Sequence, residues 1–311
     1  MQEFIQQLIN GLSVGSIYAL IAVGYTMVYG VLQLINFAHG DVFMVGAIST
    51  LVLVTKSGFD TTSPTASSAV VFLACALISI LACGLLGFII ERFAYRPLRD
   101  KPRINSLITA IGISLLLEYG GQHPKVFGPT PQPFPASMIP WINSGSLSIA
   151  GVLVSRVDLI VLSVTILLMV GLTWIVLRTR TGLGLRAVSF RYDTAALMGI
   201  NTDRIISFTF VLGSCLAAVG GILYAVKYPK VEPLMGLLPG VKAFVAAVFG
   251  GIGNIAGAVV GGLVLGMVEV LVVGYLPNGS QYRDGIAFVI LIIILLVKPS
   301  GLFGKHVVEK V

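Results

Sequence analysis

The charge-poor apolar blocks constrain what this chain can fold into more than any other feature. Phe4–Val54, Ala66–Ile90, Val157–Leu177, Ile205–Val226, Ile255–Leu276 and Gly285–Val297 carry few or no charged side chains. About 20 apolar residues cross a bilayer as a helix, and a helix satisfies its own backbone in lipid. A membrane β-barrel has short alternating segments instead, which these blocks are not. Only 11% of the 311 residues are charged and 56% are hydrophobic, whereas a soluble domain carries about 25% charged residues. The expected fold is an all-α polytopic membrane protein, one transmembrane domain over residues 1–311.

The net charge of +7 is topogenic, and nucleic-acid binding is not expected. Basic residues concentrate in the loops 91–103 (Arg92, Arg96, Arg99, Lys101, Arg103) and 178–204 (Arg178, Arg180, Arg186, Arg191, Arg204). The positive-inside bias puts both in the cytoplasm. The Pro-rich loop 123–156, with Lys125 and Arg156 alone as basic residues, belongs outside and is expected to cover the membrane part. Alternation from these anchors gives about nine spans (8–10). They are Leu8–Gly30, Phe43–Thr55, Ala66–Ile90, Ile104–Gln122, Val157–Leu177, Ile205–Val226, Leu237–Gly253, Asn254–Leu276 and Gly285–Val297. The N-terminus lies outside and the C-terminal tail, with Lys298, Lys305 and Lys310, in the cytoplasm. The first two spans and the seventh are Gly-rich and interrupted, so a re-entrant or split helix is expected there. "MQEFIQQLING" lacks the basic start of a cleaved signal peptide and reads as the mature start.

Cys75, Cys83 and Cys215 sit inside apolar spans without a CxxC pair and read as packing residues. Glycines at Gly11–Gly15, Gly257–Gly261 and Gly262–Gly266 have the small-xxx-small spacing that lets helices approach closely. "GSIYAL" (15–20) resembles "GILYAV" (221–226) in a span of opposite direction, a candidate inverted repeat.

The chemistry-bearing residues are few. "GLFGKH" (301–306) lacks the Ser/Thr and glycine placement of a phosphate loop, and "GLGLRA" (182–187) precedes no βαβ unit. No metalloprotease, nucleophile-elbow or paired-carboxylate pattern exists, so a membrane enzyme is disfavoured. Energy for active transport would come from another polypeptide. In "VLQLINFAHGDVFMVGA" (31–47), Asn36, His39 and Asp41 form a polar knot. Three metal ligands cannot be assembled there. The knot reads as a helix break near the cytoplasmic side, Asp41 capping a helix that begins at Val42, and as a possible hinge or lining of the path. Lys242 and Glu269 fall at similar depth in neighbouring spans and are expected to pair. They fix helix register in one reading and serve substrate or gating in another. Glu118 is expected to reach the outer interface and Glu91 the inner one.

The loop "RAVSFRYDTAALMGINTDRI" reads as a short amphipathic helix stopped by Gly199 and Asn201. It resembles the coupling loop of ABC-importer permeases, an acid, two alanines, three residues and a glycine. Asp193, Ala195, Ala196 and Gly199 match that pattern in part, with Thr194 interposed and the acid and first alanine displaced by one, and Arg191 precedes it. Residues 11–47, 91–99, 197–224 and 240–269 further resemble the LivH-type permease of branched-chain amino acid ABC transporters. The resemblance implies a bacterial inner-membrane uptake system in which this chain binds no cofactor. A second homologous permease and two cytoplasmic ATPases using ATP and Mg would partner it, surrounded by membrane lipid. A periplasmic binding protein would deliver Leu, Ile or Val. Related permeases carry urea or short-chain amides, which is the alternative substrate class. An ion-coupled secondary transporter is the alternative mechanism, for which Glu269 alone offers a mid-membrane carboxylate.

Overall fold

The computed structural model describes residues 2–58, 65–99, 101–139, 142, 145–149, 152–298 and 300–304. The expected cytoplasmic Lys305 and Lys310 lie outside the described residues. Helices α1 (Gln2–Leu32), α2 (His39–Lys56), α3 (Ala66–Ile90), α4 (Arg103–Gln122), α5 (Arg156–Arg178), α6 (Arg180–Phe190), α7 (Tyr192–Leu197), α8 (Thr202–Lys227), α9 (Leu237–Gly250), α10 (Ile255–Tyr275) and α11 (Gly279–Val297) follow in order. Eight of them are long and apolar enough to cross a bilayer: α1 to α5, α8, α10 and α11. The 14-residue α9 extends about 21 Å at 1.5 Å per residue, short of an apolar layer about 30 Å thick. The expected full span Leu237–Gly253 is therefore a partial one.

Helix α1 is the hub. Its apolar window is 94% buried, against 6% for α11 and 17% for α4. A helix apolar all round belongs in the interior or in lipid, and here α1 takes the interior while α4 and α11 stay at the periphery. It packs against α10, α8, α9 and α5. The glycine spacing explains the tightest contact: a Cβ on Gly266 would stand 2.3 Å from the Cα of Gly15. Without a hydrophobic force between helices in lipid, such close van der Waals approach is what holds them.

Two halves repeat one packing plan. α1 lies on α10 as α8 lies on α3, α2 on α8 as α9 on α1, and α2 on α3 as α9 on α10. α1 and α8 run antiparallel, because the end of α1 and the start of α8 both meet the segment 91–99. Each is followed by a break, 33–38 and 228–236, and then by a helix that starts inside the bundle. The resemblance between residues 15–20 and 221–226 is out of register with this repeat. It offsets the halves by 221 − 15 = 206 positions, whereas the helix ends Leu32 and Lys227 offset them by 227 − 32 = 195.

The ends sort into two faces. Segments 30–36, 91–99, 178–204, 250–254 and 300–304 share one, as shown by the Tyr95–Asn36 bond, the Arg99–Asp203 pair, the approach of Gly30 to Ser189 and Gly253, and the Leu302–Phe249 backbone bond. On the other face the Pro-rich loop forms short β structure. Strand β1 (Gln132–Pro133) pairs with β4 (Lys230–Val231), and β2 (Ser146–Ile149) forms a hairpin with β3 (Val152–Ser155), both antiparallel. Phe134 and Met138 of this loop are buried.

Candidate functional site

The polar knot is a re-entrant break inside the bundle. Gln33, in the left-handed region at φ 53°, ends α1 at the conformational cost L-residues bear there. The Asn36 Oδ1 accepts a hydrogen bond from the Tyr95 hydroxyl at 3.1 Å. Its backbone carbonyl accepts from the His39 N–H at 3.1 Å. The helix restarts at His39, with Ala38 in the cap position and no side-chain cap. Asp41 therefore does not cap a helix beginning at Val42. It lies within the first turn, where a carboxylate is favoured by the exposed N–H groups.

The knot also sits deeper than expected. The His39 ring is 1% exposed, lies edge-on to Tyr25 with centroids 4.7 Å apart, and fills the space a Cβ on Gly24 would need, 2.3 Å from Nε2. Gly213 of α8 stands against Gly24 at the same edge of that ring, a Cβ there lying 3.5 Å from the Gly24 carbonyl oxygen and 3.7 Å from His39 Cε1. It lies eleven positions past Thr202, about 16 Å into the helix at 1.5 Å per residue. After Gln33 the chain climbs back into the bundle before helix resumes, which places the knot's centre in the interior and not at the edge expected from the sequence. Gly40 there meets the start of α9. Its Cα lies 2.9 Å from a Cβ built on Gly240, and a Cβ on Gly236 would stand 2.2 Å from the Gly40 carbonyl oxygen. Two helices thus begin against each other at one depth. Irregular backbone in a membrane persists only where protein or a cavity surrounds it.

Asp41 faces the Ser114 hydroxyl and the Glu118 carboxyl of α4. Glu118 is 4% exposed, so it does not reach the interface. Its position near the end of a span misleads, because α2 packs against α4 there and sets Asp41 against it. Asp41 Oδ2 and Glu118 Oε1 both lack a hydrogen-bond partner.

A charge cluster joins α1, α9, α10 and α11. Lys242 Nζ stands 3.2 Å from Glu269 Oε2 and 2.6 Å from Asp284 Oδ1. Glu269 also accepts from the Tyr18 hydroxyl at 2.9 Å and pairs through Oε1 with Arg283 Nε. Two cations thus meet two anions around one buried carboxylate. Arg283 and Asp284 were hidden in the sequence because the apolar run opens at Gly285, while the helix itself starts at Gly279. At the face opposite the basic loops, Lys227 of α8 pairs with Asp158 of α5 and donates to Ser13 Oγ at 2.9 Å. These charges end apolar blocks, where interfacial placement is the ordinary reading, and no sequence signal joined them.

On the basic face, Glu91 is fully buried rather than interfacial. It pairs with Arg99 and accepts from the Ser207 hydroxyl at 2.5 Å. Arg99 also meets Asp203 at 2.6 Å, and Arg96 pairs with the same carboxylate. The helix continues past Ile90 to Leu98 as a π turn and a 3-10 turn, and Glu91 opens the π turn, whose wider i→i+5 winding departs from α-helical side-chain directions.

Directly before Asp203 stands the segment 190–199. Arg191, extended at φ −151°, separates α6 from α7, and Gly199 at φ +82° ends α7. Asn201 caps α8, its Oδ1 accepting from the Arg204 N–H at 3.1 Å. Ala195 is buried and receives the Ile200 N–H on its carbonyl at 3.1 Å, while Asp193 and Ala196 face outward. Phe190, Leu197 and Met198 are 86%, 88% and 79% exposed. Among the described residues no group of three or more His, Cys, Asp or Glu is placed to hold a metal ion. Cys83 and Cys215 pack against the carbonyls of Val42 and Ile80.

A bundle of apolar spanning helices with re-entrant breaks and a paired charged interior defines a multi-pass α-helical membrane protein. Residues 7–295 match the family described as "Branched-chain amino acid transport system / permease component". The chain is 43% identical over 315 residues to the high-affinity branched-chain amino acid transport system permease protein BraD of Pseudomonas aeruginosa, covering 99% of this chain and 98% of that one. It is 40% and 39% identical over 320 residues to the LivH permeases of Salmonella typhimurium and Escherichia coli, again over 99% of this chain and 98% of each relative. The chain belongs to this family of branched-chain amino acid transport permeases. It is a multi-pass transport subunit of the inner membrane.

Proposed function

We propose that this chain is the transmembrane permease subunit of an ATP-driven importer for leucine, isoleucine and valine. The observation that carries the reading is the 190–199 segment, in a chain akin to such permeases over its full length. A short helix flanked by Phe190, Leu197 and Met198, exposed on the basic face, has the character of a knob waiting for a hydrophobic groove. Two cytoplasmic ATPases, which bind ATP and Mg themselves, supply that groove. A second homologous permease completes the path, and a periplasmic binding protein loads it. The basic face lies in the cytoplasm, the N-terminus outside and the C-terminal tail inside, in accord with the positive-inside bias.

The chain's own residues give the coupling a mechanical route. Closure of the ATPases on ATP displaces α7, and Asn201 joins that displacement to α8 through its cap. Arg96 and Arg99 on Asp203 tie the base of α8 to the end of α3. α8 then carries the movement as a 26-residue rod to the His39–Gly24–Gly213 crossing, where α1, α2 and α8 meet. Arg191, Asp193, Ala195, Ala196 and Gly199 act at the ATPase end of this route; Asn36, His39 and Asp41 act at the hinge. Lys242 and Glu269 set the register of α9 and α10.

The test is ATP-driven uptake of radiolabelled leucine by proteoliposomes holding the four subunits, with the loaded binding protein outside. Uptake that needs ATP and is unaffected by collapse of the proton gradient supports the reading. Uptake without the ATPases, driven by protons, contradicts it, and preferential uptake of urea or acetamide reassigns the substrate.

A further inference from the structure

The Lys227–Asp158 pair does more than tie α8 to α5: it opens onto a cavity of about 350 Å³ on the face opposite the basic loops. That volume is at the small end of the range for small-molecule sites. Its lining combines the Asp158 carboxylate and the Lys227 ammonium with Val14 of α1, Val157 of α5 and Val270 of α10, and Asn10, Ser155 and Tyr228 complete it. Asp158 and Lys227 are each largely withdrawn from water, with side chains 6% and 13% exposed, so a ligand's charges would be weakly screened there. The Ser13 hydroxyl holds the ammonium of Lys227 toward the pair.

We propose that this cavity is an entry subsite for an aliphatic α-amino acid: Asp158 takes the ligand's ammonium, Lys227 its carboxylate, and the three valines its side chain. A zwitterion exchanges one ion pair for two without changing the net charge of the site, so entry leaves no buried charge uncompensated. A sugar or a urea molecule would break the pair and offer it neutral groups only. The pair joins the first turn of α5 to the last turn of α8, so ligand entry loosens the joint between the linking helix and the second half of the fold. The proposal rests on the amino-acid importer reading. It competes with one other source of the same chemistry, the ammonium and phosphate of a zwitterionic lipid headgroup, which lacks a branched apolar group of matching size.

The experiment uses the complete importer in nanodiscs and a leucine analogue with a diazirine in its side chain, photolysed and mapped by mass spectrometry. Uptake of radiolabelled leucine by the same preparation is measured first; its absence overturns the importer reading itself. With uptake present, the subsite predicts label on residues 14, 155–158 or 270. That label is displaced by leucine, not displaced by glycerophosphoethanolamine, and reduced about tenfold or more in Val157→Phe and in the charge swap Asp158→Lys with Lys227→Asp. The swap preserves an ion pair, so a purely structural joint would leave the labelling pattern and thermal unfolding as in the wild type. Label confined to other residues, or label displaced by the lipid headgroup and not by leucine, overturns the proposal. Should either variant fail to fold, the wild-type map and its competition decide.

Discussion

At the scale of single residues, the protein buries charge where a membrane makes it most costly and surrounds its most buried ion-paired carboxylates with several partners. Glu269 is the clearest case, 3% exposed with Tyr18, Lys242 and Arg283 all directed at it. Removing one member of a buried pair leaves the other uncompensated, a loss of about 3–5 kcal/mol. Glu269→Gln is expected to lose that much, measured by thermal unfolding in detergent, and Lys242→Met less, because Arg283 stays paired. The two-residue pair read from the sequence predicts that Lys242→Ala with Glu269→Ala recovers what Lys242→Ala loses. The four-residue cluster predicts otherwise, since the double variant strands Arg283 and Asp284; recovery to wild-type stability would contradict it. A second residue-scale prediction concerns the crossing at His39. Gly24→Ala pushes a methyl into the imidazole and is expected to cost about 1–3 kcal/mol, as overpacking does. His39→Ala made on that background restores part of it. Additive losses would show that the ring and the glycine do not interlock.

At the scale of elements, what could be read in advance depended on how far local pattern decides the outcome. The apolar blocks marked where helices run, because burying twenty apolar residues overrides every local propensity. The stop at Gly199 was legible because it is local backbone chemistry; Asn201, read as part of that stop, serves instead as the cap of α8. Depth was not legible. Asn36, His39 and Asp41 marked a break, but its retreat into the bundle depends on Gly24, Gly213 and Gly240 giving way from three other helices. Glu118 and Glu91 were misplaced for the same reason: a carboxylate near a span's end is interfacial unless a distant segment covers it. The inner clamp yields a prediction of its own. Glu91→Gln removes the buried partner of Arg99 and Ser207, and is expected to lower coupling more than Asp203→Asn, whose carboxylate is 38% exposed. The measure is leucine moved per ATP hydrolysed. Equal losses in both would place the clamp's weight on the exposed carboxylate instead.

At the scale of the whole molecule, two antiparallel halves meet around α1 and α8, each with a helix that starts inside the bundle. The exposed segment 190–199 lies between α6 and the base of α8 and packs on both. From there α8 runs to the interior crossing of His39, Gly24 and Gly213. The proposed passage of ATPase closure through 190–199 is tested by leucine uptake and ATPase activity, taken together, in proteoliposomes of the reconstituted importer bearing Leu197→Glu and Met198→Glu. The permease is predicted to fold and insert as the wild type does, because both side chains are exposed. ATP-dependent uptake falls about tenfold or more, by loss of at least 1.4 kcal/mol of docking energy, and stimulation of hydrolysis by the loaded binding protein is lost with it. Unchanged uptake and unchanged stimulation in that variant would contradict the account.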